Sequence, residues 1–228
     1  MTAGNDTALI IFSRLPVGHE TKTRLAELLN ETQRAELHLA MWHDIFTEAL
    51  KLRSTDIYLY WTGSEDAEDY QEYIPPSFIL RKQEGNNLGE RMKNALREIF
   101  ADGYKRAAII GADIPSVRAG NIVRAFDLLN DSDIVIGPSE DGGYWLIGMN
   151  KFIPDAFNVS SWGNSSVLSS TSESLSASNI AYSLAETLQD IDTPEDISLF
   201  TSDKRNSDRS AYTYLKGCPA ICPRSIGD

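Results

Sequence analysis

The 228-residue chain predicts an α/β fold with a mixed, mainly parallel sheet, on three observations. Short continuous apolar runs alternate with stretches of helical periodicity, as in strands buried on both faces and joined by crossover helices. Two of the runs, 107–112 and 134–137, lead into Asp113 and into Glu140-Asp141-Gly142-Gly143. Carboxylates at the carboxyl ends of strands occupy the place where open α/β sheets bind ligands. A third run, 144–149, follows the Gly-Gly turn at once, which predicts a hairpin and one antiparallel strand.

In chain order, residues 8–12 are an apolar run with the look of a central strand. Residues 13–23 form a polar loop with Pro16, Gly18, Arg14, Lys22 and then Arg24. From Arg24, Leu25, Leu28, Leu29, Leu37, Met41, Ile45, Phe46 and Leu50 recur at helical spacing, with a break expected at 30–32. Residues 56–61 read as a second strand and 62–73 as an acidic stretch with a short exposed helix, ended by Pro75-Pro76. Residues 78–80 predict a third strand. A turn over 83–87 suits a helix N-cap, and Leu88, Met92, Leu96, Ile99 and Phe100 mark the helix after it. The strand at 107–112, a helix over 121–129 and the hairpin at 134–149 complete the alternation. Beyond Asn150 the chain is Ser-rich over 160–178, yet Trp162, Val167 and Leu168 predict that part of it packs. Residues 180–184 suit a further strand, and 190–196 a helix start with Asp192 or Thr193 as N-cap and Pro194 in the first turn. One domain is expected over 1–228, with its core at about 8–200 and an irregular tail over 201–228.

Composition narrows the function classes. With 42% hydrophobic residues the chain can bury a sizeable core, and 33 acidic against 21 basic residues give a net charge of −12. Such a charge repels a polyphosphate backbone, so no nucleic acid partner is expected. The N-terminal stretch lacks the basic and apolar regions of a leader, and no apolar run approaches ~20 residues. A cytoplasmic chain with no membrane partner is the expectation. Cys218 and Cys222 make an incomplete metal site without histidine neighbours and read as incidental reduced thiols.

Arg14, Lys22 and Arg24 concentrate positive charge in an acidic chain, between a buried strand and a helix start, which suits a phosphate group; a solvated basic patch is the plain alternative. The Lys22-Thr23 pair lacks the second glycine of a P-loop, and no G-x-G-x-x-G follows the first strand. Asp113, Asp141 and Asp192 come from three distant segments, and their oxygens suit Mg²⁺ or Mn²⁺ shared with substrate phosphates. Asp192 has an alternative use as a plain cap, and the 137–143 turn as a bare hairpin. His38 and His43 lie on the long helix, facing solvent or packing there, and no Ser-His-Asp set assembles.

The ordered motifs Arg14-x-Pro16, Lys22-Thr23-Arg24-Leu25, Gln83-x-Gly85-x-x-Leu88-Gly89-Glu90-Arg91, Gly111-x-Asp113-x-Pro115, Gly137-Pro138-x-x-Asp141-Gly142-Gly143-Tyr144, Trp162-Gly163 and Asp190-x-Asp192-Thr193-Pro194 resemble a family of bacterial GT-A-like transferases. These are associated with radical-SAM and selenium-domain proteins and related to the 2-phospholactate and molybdenum-cofactor guanylyltransferases. The resemblance implies a three-layer α/β/α nucleotide-diphospho-sugar transferase fold, a divalent metal, Mg²⁺ or Mn²⁺, and a nucleoside triphosphate or nucleotide sugar with a small-molecule acceptor. It implies nucleotide binding by Arg14, Lys22, Arg24, Gln83, Gly85, Leu88 and Arg91, and metal binding by Asp113 and Asp192. Gly142, Gly143, Tyr144 and Trp162 would line the acceptor side, and Lys22, Arg24, Asp113 and Asp141 would carry catalysis. The chain departs from the family in the first loop, where Pro16-Val17-Gly18-His19 replaces Pro-x-Pro-Gly and Arg14 replaces a lysine. The reading is thus a metal-dependent nucleotidyl- or glycosyltransferase, with a nucleotide-binding module that has lost catalysis as the alternative.

Overall fold

The computed structural model describes residues 5–159, 162 and 165–221; Gly163 and Cys222 lie outside them. Its strands are β1 (Thr7–Arg14), β2 (Thr55–Thr62), β3 (Ile79–Lys82), β4 (Arg106–Gly111), β5 (Ile134–Pro138), β6 (Tyr144–Met149) and β7 (Tyr182–Leu184). They form one sheet in the order β3-β2-β1-β4-β6-β5-β7. Strands β4 and β5 both pair antiparallel with β6, and every other pairing is parallel, as the Gly-Gly hairpin predicts.

Residues of alternate orientation on the strands feed two cores. On one face Leu9, Ile11, Leu59 and Ile110 meet Trp42, Ile45 and Phe46 of α1 (Glu31–Ala49) and Ile122 and Phe126 of α3 (Ala119–Leu128). On the other, Ile10, Tyr60, Ile109 and Ile147 meet Met92, Leu96 and Ile99 of α2 (Leu88–Ala101) and Leu175 of α4 (Val167–Ala177). The period of two along each strand thus produces the three-layer sandwich. The sheet, the layers and the mainly parallel topology all match the sequence-based expectation.

Boundaries moved where capping chemistry decided them. The helix expected from Arg24 is a single 3-10 turn over Thr23–Leu25, and α1 starts only after Asn30, whose side chain caps Gln33 in a reciprocal box. Of the two N-cap candidates at the last predicted helix, Thr193 caps α5 (Pro194–Ser202) and leaves the Asp192 carboxylate free. The Ser-rich stretch contains α4, held by Val167, Thr171 and Leu175, which recur every four residues and are buried.

The tail expected to be irregular from 201 is largely helical. A 3-10 turn spans Lys204–Asn206 and α6 spans Ser210–Gly217. Ala211 and Leu215 of α6 and Ile197 and Phe200 of α5 bury a third cluster with Leu37 and Met41 on the outer side of α1. Two apolar residues four apart in eight are a faint helical signal; the deciding partners lie some 170 residues away. Cys218 is a free thiol packed in this cluster. No helix among the described residues is long and apolar enough to cross a membrane.

Candidate active site

In this strand order the chain passes from β1 to β2 on one side, whereas β4 lies on the other side of β1 and leads away to β5 and β6. The carboxyl ends of β1 and β4 therefore flank a crevice at the topological switch point. A cavity of about 610 Å³ opens there, within the usual range of small-molecule sites.

Lys22 is the centre of its wall. Its ammonium lies 2.9 Å from Asp113 Oδ1 and 3.4 Å from Asp192 Oδ1, and donates to the Ile191 carbonyl at 2.6 Å. The second Asp192 oxygen accepts from Arg24 Nη1 at 3.0 Å. The Lys22 side chain is 2% exposed, whereas that of Asp113 is 48% exposed to the cavity. Burial alone would lower the ammonium pKa, but the two carboxylates overcome it and raise it. The converse holds for Asp113, whose desolvation is outweighed by Lys22, so it stays ionised below the usual carboxylate range. Asp113, set between the apolar Ala112 and Ile114, thus has its counter-ion in the loop that follows β1.

Across the cavity, Asp141 is held in the turn before β6: its Oδ1 accepts from the Gly143 amide at 2.9 Å and from the Ser139 hydroxyl. Gly142 sits at φ +86°, and a Cβ there would stand 2.2 Å from the Ser165 carbonyl, so only glycine fits this turn. On the β3 side, Gln83 donates to the carbonyls of Ser13 and Tyr60, and Arg91 donates to the Gly85 carbonyl at 3.1 Å. Trp162 lies flat against the start of α2, where a Cβ on Gly89 would fall 2.1 Å from its ring, and makes an edge contact with Tyr144.

Of the residues read from the sequence, Arg14, Lys22, Arg24, Gln83, Leu88, Arg91, Asp113, Asp141, Gly143, Tyr144, Trp162 and Asp192 all line this one cavity. Gly85 and Gly142 do not; each holds a turn at positive φ behind the wall. Asp190 and His38 are among the lining residues that sequence reasoning did not assign. Asp190 stands beside Asp192, with Ile191 buried between them, so an extended D-x-D segment turns both carboxylates to one side. Burial and the neighbouring Asp141 and Asp192 push its carboxyl up to about 6. Of the two expectations for His38, facing solvent or packing, packing holds: it is 2% exposed, and it is also hydrogen-bonded to Ser13, Thr21 and the Arg14 carbonyl.

Among the described residues, no three His, Cys, Asp or Glu side chains come together to hold a metal by themselves. Asp113 and Asp192 converge on the Lys22 ammonium instead. Their oxygens are the hard donor type that a divalent ion takes when its remaining ligands are substrate phosphates, but here the Lys22 ammonium stands between them.

Residues 45–164 match the family described as "uncharacterized protein conserved in bacteria" (DUF2064), more than half of the chain. The chain belongs to this family. This DUF2064 chain is also 30% identical over 135 residues to the 2-phospho-L-lactate guanylyltransferase of Methanobrevibacter smithii, a match spanning 58% of each chain. The enzyme of that name from Methanocaldococcus jannaschii is 28% identical over 180 residues, 77% of this chain and 75% of its own. In three dimensions the chain superposes on a candidate nucleotide-diphospho-sugar transferase from Desulfovibrio desulfuricans G20 with a TM-score of 0.88 and 28% identity, over 95% of this chain and 96% of that one. The nucleotide-diphospho-sugar transferase fold and the relationship to 2-phospholactate guanylyltransferases, both implied by the motifs, are thereby established.

Proposed function

We propose that the chain is a nucleotidyltransferase that moves a nucleoside monophosphate from a nucleoside triphosphate to a small phosphorylated acceptor. The observation that carries this reading is the Lys22, Asp113 and Asp192 cluster, a buried cation and two carboxylates from three segments at the switch point of the sheet. The name of the curated relatives supports nucleotidyl over glycosyl transfer, guanosine triphosphate as donor and a 2-phospho acid such as 2-phospholactate as acceptor. Because the first of these relatives is matched over only 58% of its length, donor and acceptor are proposals for this chain.

In this reading an acceptor oxygen attacks the α-phosphorus, the bond from that phosphorus to the bridging oxygen breaks, and pyrophosphate leaves with the electron pair. Lys22 and Arg24 offset the charge that grows on the leaving group, and Gln83, Leu88 and Arg91 border the nucleoside. Asp141, fixed by Gly143, and Tyr144 and Trp162 face the acceptor. A divalent cation carried by Asp113 and Asp192, with Asp190 beside them, would supply further charge neutralisation for the triphosphate.

The test is pyrophosphate release from each of the four nucleoside triphosphates, with Mg²⁺, with and without 2-phospholactate. Acceptor-dependent release from one triphosphate, lost in Asp113→Asn, is expected. Nucleoside diphosphate release from a nucleotide sugar would replace the reading with glycosyl transfer. The altered first loop favours a second reading, binding without transfer, which predicts nucleotide-induced thermal stabilisation and no pyrophosphate from any acceptor.

A further inference from the structure

The helix α1 sends three side chains, each one turn beyond the last, into the loop that carries Lys22. Arg34 donates from Nε to the Gly18 carbonyl at 3.0 Å and from Nη1 to the Leu29 carbonyl at 2.8 Å. Trp42 donates to the Ser13 hydroxyl at 2.7 Å, and Ser13 in turn donates to the Arg14 carbonyl at 2.6 Å. Between them, His38 Nε2 lies 3.1 Å from the Arg14 carbonyl and 3.0 Å from Ser13 Oγ, and Nδ1 lies 3.1 Å from Thr21 Oγ1. The carbonyl can only accept, and the Ser13 hydroxyl proton is already given to it, which places the imidazole proton on Nε2. Nδ1 is then the acceptor, and the Thr21 hydroxyl must donate to it.

The residue after Thr21 is Lys22, whose backbone is left-handed at φ 49°, ψ 39°. That conformation costs a lysine roughly 1–2 kcal/mol, so it persists only where its surroundings impose it. The stripe imposes it from one side: the loop's first carbonyl and last hydroxyl before Lys22 are both tied to one ring. Both rings are closed off from bulk solvent, His38 being 2% exposed and Trp42 1%. The groups facing the ring are Lys22, Arg14 and Asp113. Burial first, and Lys22 next to it, push the imidazole down to about 4, so the acceptor at Nδ1 is retained through the neutral range.

We propose that His38 is a positioning residue for nucleotide transfer, holding the Arg14 to Lys22 loop through Nε2–H and Nδ1 so that the Lys22 ammonium meets the phosphates. This rests on the nucleotidyl-transfer reading. It goes beyond that reading in assigning a role to a buried residue of α1 that belongs to none of the motifs.

Two measurements test it. Long-range ¹⁵N correlation of wild-type imidazoles at pH 7 should show His38 with Nε2 protonated and Nδ1 bare; the opposite tautomer overturns the assignment whether or not any nucleotide binds. In kinetics, Thr21→Val removes only the donor to Nδ1 and His38→Leu removes every hydrogen bond of the ring. Each should lower kcat/KM for the triphosphate by about ten- to a hundredfold. His38→Gln, which keeps a donor and an acceptor, should recover part of the loss. Wild-type kcat/KM in folded Thr21→Val, or a fall in Tm without a fall in kcat/KM, overturns the proposal. If the wild-type protein neither binds nor turns over a triphosphate, it is the nucleotidyl-transfer reading that fails, and the tautomer measurement still stands.

Discussion

Helix α1 carries two sets of buried polar side chains, and they do different work. Arg34, His38 and Trp42 reach the loop at the cavity and bond to backbone carbonyls and to the hydroxyls of Ser13 and Thr21. Asp44 and Glu48, near the other end, reach the C-terminal segment through charge. Asp44 accepts from the Ser210 and Ala211 amides at the start of α6, at 2.7 and 2.9 Å. Glu48 accepts from Arg209 at 2.9 Å, from Lys51 at 2.7 Å and from the Ala119 amide at 2.9 Å. One set shapes the loop that carries Lys22, on which the proposed transfer depends. The other fastens a helix that touches no part of the cavity. The comparison teaches that buried polarity on one helix divides into function and stability by what it bonds, not by how deep it lies.

The sharpest break in that comparison is Glu48→Ala. Glu48 and Arg209 are each 3% exposed at the side chain, so removing the acid strands a buried guanidinium whose other bonds are to the Val117 carbonyl alone. Such a change costs about 3–5 kcal/mol, as a buried charge without its counter-ion does. Urea unfolding should show it as a large fall in midpoint, while nucleotide binding by the remaining folded protein stays at the wild-type level. A loss of binding with unchanged stability would reverse the roles assigned to the two sets.

The site end responds instead to acid. His38 holds its proton less tightly folded, at about 4, than unfolded, at 6.5, so the unfolded chain takes up more protons as pH falls between those values. The stability this gives is complete above about pH 6.5 and drains away towards pH 4. It amounts to about 2 kcal/mol between pH 7 and 5 and about 3 kcal/mol by pH 4. Asp190 opposes it: its carboxyl is raised from 3.8 to about 6, so the folded protein gains stability as pH falls through that window. Urea midpoints at pH 7 and 5 separate the two. His38→Gln should flatten the acid loss, Asp190→Asn should steepen it, and identical slopes in all three proteins would show that neither group titrates as its surroundings dictate.

Much of this was legible in the sequence because it depended on neighbours in the chain. Apolar runs on both faces of the sheet announced β1, β2, β4 and β5, and the carboxylates after two of them announced Asp113 and Asp141. Arg14, Lys22 and Arg24 stood out because the rest of the chain is acidic. What stayed hidden depended on partners far away. His38 sits among the residues of an ordinary helix, and only the return of residues 13–21 against it makes it part of the site. Asp190 was masked because its segment reads equally well as a helix start, and the answer came from which residue caps α5. The α6 helix lacks a strong apolar stripe of its own; Asp44 and Glu48, more than 160 residues earlier, anchor it.

The smallest expected effect tests the quieter member of the stability pair. Asp44 accepts two amides at the start of α6, a contribution of the kind that costs about 1–2 kcal/mol to remove. Burial works against it, raising its pKa despite those hydrogen bonds and the nearby Arg209. Part of what the bonds contribute is therefore offset by the desolvated charge, which is why Asp44→Ala should cost less than Glu48→Ala. The two amides bond to different carboxylate oxygens, so Asp44→Asn, with one carbonyl oxygen, keeps one of the bonds and should fall between wild type and Asp44→Ala. If Asp44→Asn is instead as unstable as Asp44→Ala, the charge itself, facing Arg209 and the α6 N-terminus, holds the C-terminal segment, and both acids of this set then act through Coulomb attraction rather than through hydrogen-bond geometry.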